Sequence, residues 1–274
     1  MNKKTVLITG ASSGIGKETA KILITKGYTV YAGARRIEKM KDLEKLGAHL
    51  VKLDVTDETS MVSGVNSILA KEGSIDILVN NAGYGSHGAI ENVPIDEARR
   101  QFEVNIFGLA RLTQLVLPKM RQNRYGKIVN ISTVGGKIHT AFGGWYHASK
   151  FALEGLSNCL RLETEPFGID VIIIEPGGIA TEWGMIAADN LKKTSGNGAY
   201  AEAANKTADG MMRTYASNQL SKPTVVAETI LKAITARRPK TRYATGYMAG
   251  TVLFLRRILD DRLFDRLITS MGGS

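Results

Sequence analysis

The sequence is poor in cysteine, proline and long apolar runs, and each shortage closes off a class of protein. Cys159 is the single cysteine among 274 residues. No intrachain disulfide can form, so a reducing compartment and a cytoplasmic location are expected. There are only 6 prolines, and no linker, repeat or low-complexity tract marks a second domain. No stretch approaches the roughly 20 apolar residues of a membrane-spanning helix, so no integral membrane segment is expected. The opening MNKKTVLITG holds too short an apolar core for a secretory signal. Aromatic residues are sparse and do not interleave with basic runs, which speaks against a nucleic-acid partner. His87, His139 and His147 share no metal-ligand spacing with one another or with a carboxylate, so no metal is expected.

What is present is the composition of a globular chain, 43% hydrophobic and 23% charged. Glycine is in excess, with 29 residues and no period-3 repeat, which points to tight turns and close backbone approaches. The net charge of +10 is uneven: residues 184–274 carry 14 Lys and Arg against 7 Asp and Glu. Such a surplus suits a solvated basic surface first, and otherwise an anionic ligand, an acidic membrane surface or nucleic acid.

Short β-branched runs alternate with longer amphipathic stretches over the first 180 residues. Strands are expected at 6–9, 29–32, 50–54, 75–80, 127–132 and 170–176, with an edge strand at 241–246. These runs are continuously apolar, as strands covered on both faces must be. Helical patterns fall between them at about 15–26, 37–46, 57–71, 97–123 and 147–165. The alternation predicts one α/β domain with a doubly wound parallel sheet of about seven strands and helices on both faces. Residues 1–249 form this domain. Within it, the polar segment at about 184–222 breaks the rhythm and reads as a lid over a substrate site. Residues 250–274 read as a helical extension, with 252–268 a single amphipathic helix whose apolar set includes Leu255, Leu259, Leu263 and Leu267.

Three features carry chemistry. The first expected strand runs into TGASSGIG, where Gly10, Gly14 and Gly16 flank Ser12, Ser13 and Ile15 before a helix. A glycine turn there lets a phosphate approach the free amides of a helix N-terminus, although α/β proteins also use such turns simply as corners. The second strand then ends YAGARR, with no carboxylate where a ribose 2′-hydroxyl would need one. Arg35 instead suits a 2′-phosphate, favouring NADP(H) over NAD(H); Arg36 reads as a solvated start to the next helix. Finally, Tyr146 precedes Lys150 by four residues at a helix start, so the two share one face. A nearby ammonium lowers a phenol from its ordinary pKa near 10. The pair is an acid/base device for interconverting an alcohol and a carbonyl. Ser132, at the end of the fifth strand, places a hydroxyl where a substrate oxygen would lie.

Taken together these residues resemble the short-chain dehydrogenase/reductase family over about residues 4–182. TGASSGIG resembles its cofactor fingerprint, and NNAG its motif after the fourth strand. The resemblance implies a Rossmann-type fold with strand order 3-2-1-4-5-6-7. It implies that Tyr146 exchanges the proton, Lys150 lowers the Tyr146 pKa and binds the nicotinamide ribose, Ser132 orients the carbonyl, and Asn105 serves a proton relay. It implies cofactor contacts from Asp54 and Val55, from Asn81, Ala82 and Gly83, and from Pro176, Gly177, Ile179 and Thr181. It also implies a homodimer or homotetramer built on the helices at 97–123 and 147–165. VYAGARR and the long tail look most like the branch related to 17β-hydroxysteroid and retinol dehydrogenases. The expected function is an NADP(H)-dependent oxidoreductase acting on a hydrophobic small-molecule substrate: a steroid, a retinoid or a smaller ketone or alcohol. The alternative is a dinucleotide-binding regulator without catalysis. Phe142, Trp145 and Trp183 suit either a pocket wall or core, as do Met185, Met211 and Met212.

Overall fold

The computed structural model describes residues 3–272, so the expectations for the extreme N-terminus and for residues 273–274 of the tail fall partly outside it. Seven strands build one sheet: β1 (Thr5–Thr9), β2 (Thr29–Ala34), β3 (His49–Lys52), β4 (Ile77–Asn80), β5 (Gly126–Ile131), β6 (Ile169–Pro176) and β7 (Arg242–Thr245). Between them run α1 (Gly14–Thr25), α2 (Lys41–Lys45), α3 (Glu58–Glu72), α4 (Ile95–Phe102), α5 (Gly108–Gln122) and α6 (Gly144–Thr164). After β6 come α7 (Trp183–Ser195), α8 (Ala201–Ala216) and α9 (Pro223–Thr235), and after β7 come α10 (Ala249–Ile258) and α11 (Asp261–Gly272).

The strand order is β3-β2-β1-β4-β5-β6-β7, every neighbouring pair parallel. This is the expected doubly wound sheet of Rossmann type. Successive side chains on a strand point to opposite faces, and both faces are covered. Val6 and Ile8 of β1 join Val30, Ala32, Val79 and Ile172 in a core beneath α1 and α9. Leu7 joins Tyr31, Leu78, Ile128 and Val171 in a second core under α3 and α5. Two-sided burial is why these strands read as unbroken apolar runs. The order of strands reverses between β1 and β4, and a crevice opens there beyond their C-terminal ends.

Three elements differ from the sequence reading. The helix expected over 97–123 is interrupted by a π-helical turn at Glu103–Phe107 that joins α4 to α5. The polar segment 184–222 holds two packed helices, α7 and α8, closed on a small-residue core of Ala188, Leu191, Ala204 and Ala208. Phe142, Met211 and Met212 pack against that core, whereas Met185 is exposed. The tail is not one helix. Leu259 is extended, with φ −93° and ψ 140°, and the Asp260 carboxylate accepts from Leu263 N at 2.9 Å, capping a fresh helix. The rotation this introduces buries Phe264 completely with Ile138 and Val252, and leaves Leu263 exposed. No helix among the described residues is long and apolar enough to cross a membrane.

Candidate active site

The crevice at the switch between β1 and β4 is a single cleft of about 1720 Å³. It begins at the turn between β1 and α1. Gly10 has φ +66°, a conformation that disfavours side chains, and a Cβ there would stand 2.9 Å from Ala82 Cα. Gly16 lies over the same corner; its missing Cβ would meet Gly10 O at 2.6 Å. The N-cap residue Ser13 makes no side-chain capping bond, so the first amides of α1 keep their capacity for an anion. Asn81 fastens this corner to β4: its Nδ2 donates to Thr9 O at 2.9 Å and Gly10 O at 3.2 Å.

At the far side of β2, Arg35 is exposed, lines the cleft, and has no acidic partner among the described residues. Asp54 lies nearby, its Oδ1 held by Thr56 N at 3.0 Å and Thr56 Oγ1 at 2.8 Å. The glycine cradle, the open helix terminus and the free guanidinium together fit a phosphate-bearing dinucleotide.

Tyr146 sits in the first turn of α6 and Lys150 one turn further, both facing the cleft. Burial pushes the Tyr146 phenol well above its ordinary range; a hydrogen bond with Thr133 opposes this and nearby Tyr215 adds to it. Lys150 Nζ donates to Ile131 O at 2.9 Å, and burial pulls its ammonium down to about 8 against the attraction of Glu154. Burial is the largest influence on the phenol. Desolvation governs both groups, and the ammonium is engaged with a carbonyl.

Asn105 lies in the π turn. Its Oδ1 accepts from Tyr84 N at 3.1 Å, while Nδ2 donates to Tyr84 O and to Ser149 Oγ, each at 3.0 Å. A Cβ on Gly83 would stand 3.1 Å from Asn105 Oδ1 and 3.7 Å from Lys150 Nζ, so these three residues converge. A π turn is a costly local geometry often kept at functional sites, and here it delivers Asn105 to the α6 face.

The structure brings together, as lining of one cleft, Gly10, Ser12, Ser13, Gly14, Ile15, Arg35, Asp54, Val55, Asn81, Ala82, Gly83, Ser132, Tyr146, Lys150, Pro176, Gly177, Ile179 and Thr181. Gly16 and Asn105 stand behind that lining, one packing the corner and the other bracing the loop. Trp183 and Phe142 line the cleft; Trp145 lies outside it, edge-on to Phe102. His147 is a satisfied core residue: Nε2 accepts from Thr140 N at 3.1 Å, leaving Nδ1 to donate to Gly135 O at 2.8 Å.

One assignment changes. The hydroxyl that meets the phenol belongs to Thr133, not to Ser132. Ser132 N continues the sheet ladder to Ile174 O at 2.8 Å, and its Oγ is buried against Gly136 with no hydrogen-bond partner among the described residues. Thr133 follows on extended backbone, so its side chain leaves on the opposite side. Its Oγ1 donates to Pro176 O at 3.1 Å and accepts from Gly135 N at 3.2 Å, which fixes it at the strand end. The adjacent pair Ser-Thr was the available signal, but sequence alone does not say which hydroxyl turns toward α6.

With this geometry established, comparisons with known proteins agree on one family. The sequence model of the family described as short chain dehydrogenase matches residues 4–192. A curated relative, "Probable short-chain type dehydrogenase/reductase VdlC" of Helicobacter pylori, is 37% identical over 261 residues, covering 95% of each chain. The crystal structure of a short-chain dehydrogenase from Streptomyces avermitilis superposes with a TM-score of 0.82 at 35% identity, covering 98% of this chain and 96% of that one. A serine dehydrogenase solved in a closed form with NADP+ superposes with a TM-score of 0.72 at 26% identity, covering 87% of this chain and 92% of its own.

Proposed function

The chain belongs to the short-chain dehydrogenase family, and from that premise we propose that it is an NADP(H)-dependent oxidoreductase interconverting a hydrophobic alcohol and the corresponding carbonyl compound. The observation that carries this reading is the buried Tyr146 phenol, one turn from Lys150, in a cleft that begins at a glycine-cradled helix N-terminus.

A nicotinamide dinucleotide, when bound, supplies the hydride donor or acceptor. The chain's own residues manage the proton. At neutral pH the buried phenol is protonated, which equips Tyr146 to donate to the oxygen of a carbonyl substrate. Thr133 Oγ1, whose own proton goes to Pro176 O, can only accept from the phenol, and so helps hold Tyr146 in place. Lys150, protonated below about 8, adds a positive charge on the same face of α6. Asn105 holds the Tyr84 backbone and Ser149 in place behind it. The glycine corner and the amides of α1 would receive the pyrophosphate; Asp54, Val55, Ala82 and Gly83 would hold the adenosine side, and Pro176, Gly177, Ile179 and Thr181 the nicotinamide side. On the substrate side, Phe142, Ile186 and Met211 make the wall apolar, which supports a hydrophobic substrate. Exposed Phe107, Phe151 and Leu162, at the π turn and on α6, support assembly as a homodimer or homotetramer.

The test is a panel of ketones and alcohols followed by NADPH absorbance. Turnover that requires protein supports the reading. No turnover by a protein that binds NADPH favours a non-catalytic dinucleotide-binding regulator. For the cofactor, Arg35→Ala raises KM for NADPH at least tenfold while changing KM for NADH less than twofold; equal effects on both would detach Arg35 from the 2′-phosphate.

A further inference from the structure

The substrate end of the cleft contains a polar group that the mechanism above does not use. His87 is 6% exposed, yet it lines the cleft beside the phenol: its ring centroid is 5.7 Å from that of Tyr146 and 5.5 Å from that of Trp183. Its Nδ1 has no hydrogen-bond partner among the described residues. His147, the other buried histidine of this region, has partners on both ring nitrogens. A buried polar atom left unpaired costs about 1–3 kcal/mol, so folding alone gives no reason for an imidazole at position 87.

The loop that carries His87 is fastened on both sides. Ser86 N donates to Gln101 Oε1 at 2.6 Å, Gly88 N to Phe142 O at 2.8 Å, and Ala89 N to Ser195 Oγ at 2.9 Å. These ties come from α4, from the loop before α6 and from α7, so the imidazole is held in place ahead of any ligand. The unpartnered Nδ1 is an acceptor when the ring proton sits on Nε2.

We propose that His87 is a substrate-binding residue that accepts a hydrogen bond from a hydroxyl or amino group placed a few bonds from the carbon that Tyr146 serves. The preferred substrate is thus a hydrophobic ketone or alcohol bearing a second, hydrogen-bond-donating group near the reacting centre. This rests on the oxidoreductase reading and narrows its substrate class.

The test uses the full chain, NADPH and matched alkan-2-ones of equal length: a parent ketone, variants carrying a hydroxyl or an amino group on the first, second or third carbon from the carbonyl, and the methyl ether of each hydroxyl variant. For wild type, the best donor-bearing ketone is expected to exceed its parent by tenfold or more in kcat/KM, and a hydroxyl variant to exceed its ether likewise. His87→Leu is expected to shrink that advantage below twofold while leaving the parent ketone within threefold of wild type. His87→Asn, which still presents an acceptor, is expected to keep part of it. NADPH binding measured by fluorescence reports that each variant is folded. The inference is overturned if wild type shows no advantage at any position, or if the advantage survives in His87→Leu. If no ketone is reduced although NADPH binds, it is the oxidoreductase reading that fails. Saturation-transfer NMR on the same ketones then still reads whether binding preference follows His87.

Discussion

Just past the end of β5 the chain carries two adjacent hydroxyls, Ser132 and Thr133. The sequence places a hydroxyl at the end of β5, opposite a tyrosine and a lysine that share a helix face, and the structure has one there. Which of two neighbouring hydroxyls faces the phenol depends on the pleat at the strand end, and both residue types suit either side. Thr133→Ala is expected to lower carbonyl reduction at least tenfold, and Ser132→Ala to leave it within threefold, both read as kcat/KM with NADPH saturating. The opposite ranking would restore Ser132. The shift on Tyr146 was hidden for a similar reason. Spacing reveals the neighbouring lysine but not the burial that outweighs it. Burial also sets His87, whose pKa falls from 6.5 to about 4. Between those values the unfolded chain takes up a proton that the folded chain refuses. The resulting stability is complete above pH 6.5 and lost as pH falls, by about 3 kcal/mol at pH 4. His147 is shifted in the same direction and adds to the loss. Urea unfolding at pH 7 and pH 4.5 is expected to show a smaller acid loss for His87→Gln than for wild type; an unchanged loss would mean that the imidazole is not held neutral.

At the scale of elements, what was legible was what burial writes into composition. β1, β2 and β4 to β6 are buried and largely apolar because both faces of the sheet are covered, whereas the edge strand β3 is only half-buried, and α1 declares itself through the glycine turn before it. The helices α7 and α8 were not legible. Their shared core is made of alanines and one leucine, which give little periodic signal against Lys, Asn and Thr. The tail misled because its leucine spacing runs unbroken through Leu259, while a single extended residue and the Asp260 cap reset the helix phase. Phe264 is the outcome of that reset. It is fully buried between Ile138 and Val252, with the Arg256 guanidinium 5.3 Å from its ring centre, and beside it His139 Nε2 pairs with Asp265 at 2.7 Å. Removing the ring costs about 3–5 kcal/mol if the rest of the site does not collapse. Ile268 and Thr269 of α11 line the cleft. Phe264→Ala is therefore expected to expose the joint at residues 259–260 to limited proteolysis and to raise KM for a bulky ketone severalfold, with NADPH affinity unchanged. A protease-resistant variant with normal KM would show that α11 does not depend on this ring.

Across the whole molecule, one topological fact gathers the site. All seven strands run parallel, so the turns after β1, β2, β4, β5 and β6 open on the same side, and the reversal of order between β1 and β4 leaves a crevice there. That is how residues as distant in sequence as Gly10, Arg35, Asn81, Tyr146 and Thr181 come to line one cleft. The glycine turn and the Tyr146–Lys150 spacing are local and could be read along the chain. Convergence of the loop at 84–89 with α7 and α8 is a product of the fold, and it alone places His87 against the phenol. The central claim is that the Tyr146 hydroxyl moves the proton while other residues hold the cofactor. Tyr146→Phe separates these roles by removing one oxygen from an otherwise unchanged wall. The direct measurement pairs NADPH binding by fluorescence with carbonyl-dependent NADPH oxidation in the same preparation. Tyr146→Phe is expected to keep the Kd for NADPH within twofold of wild type and to lower turnover by about 10²-fold or more. Wild-type turnover from Tyr146→Phe with NADPH bound normally would contradict it.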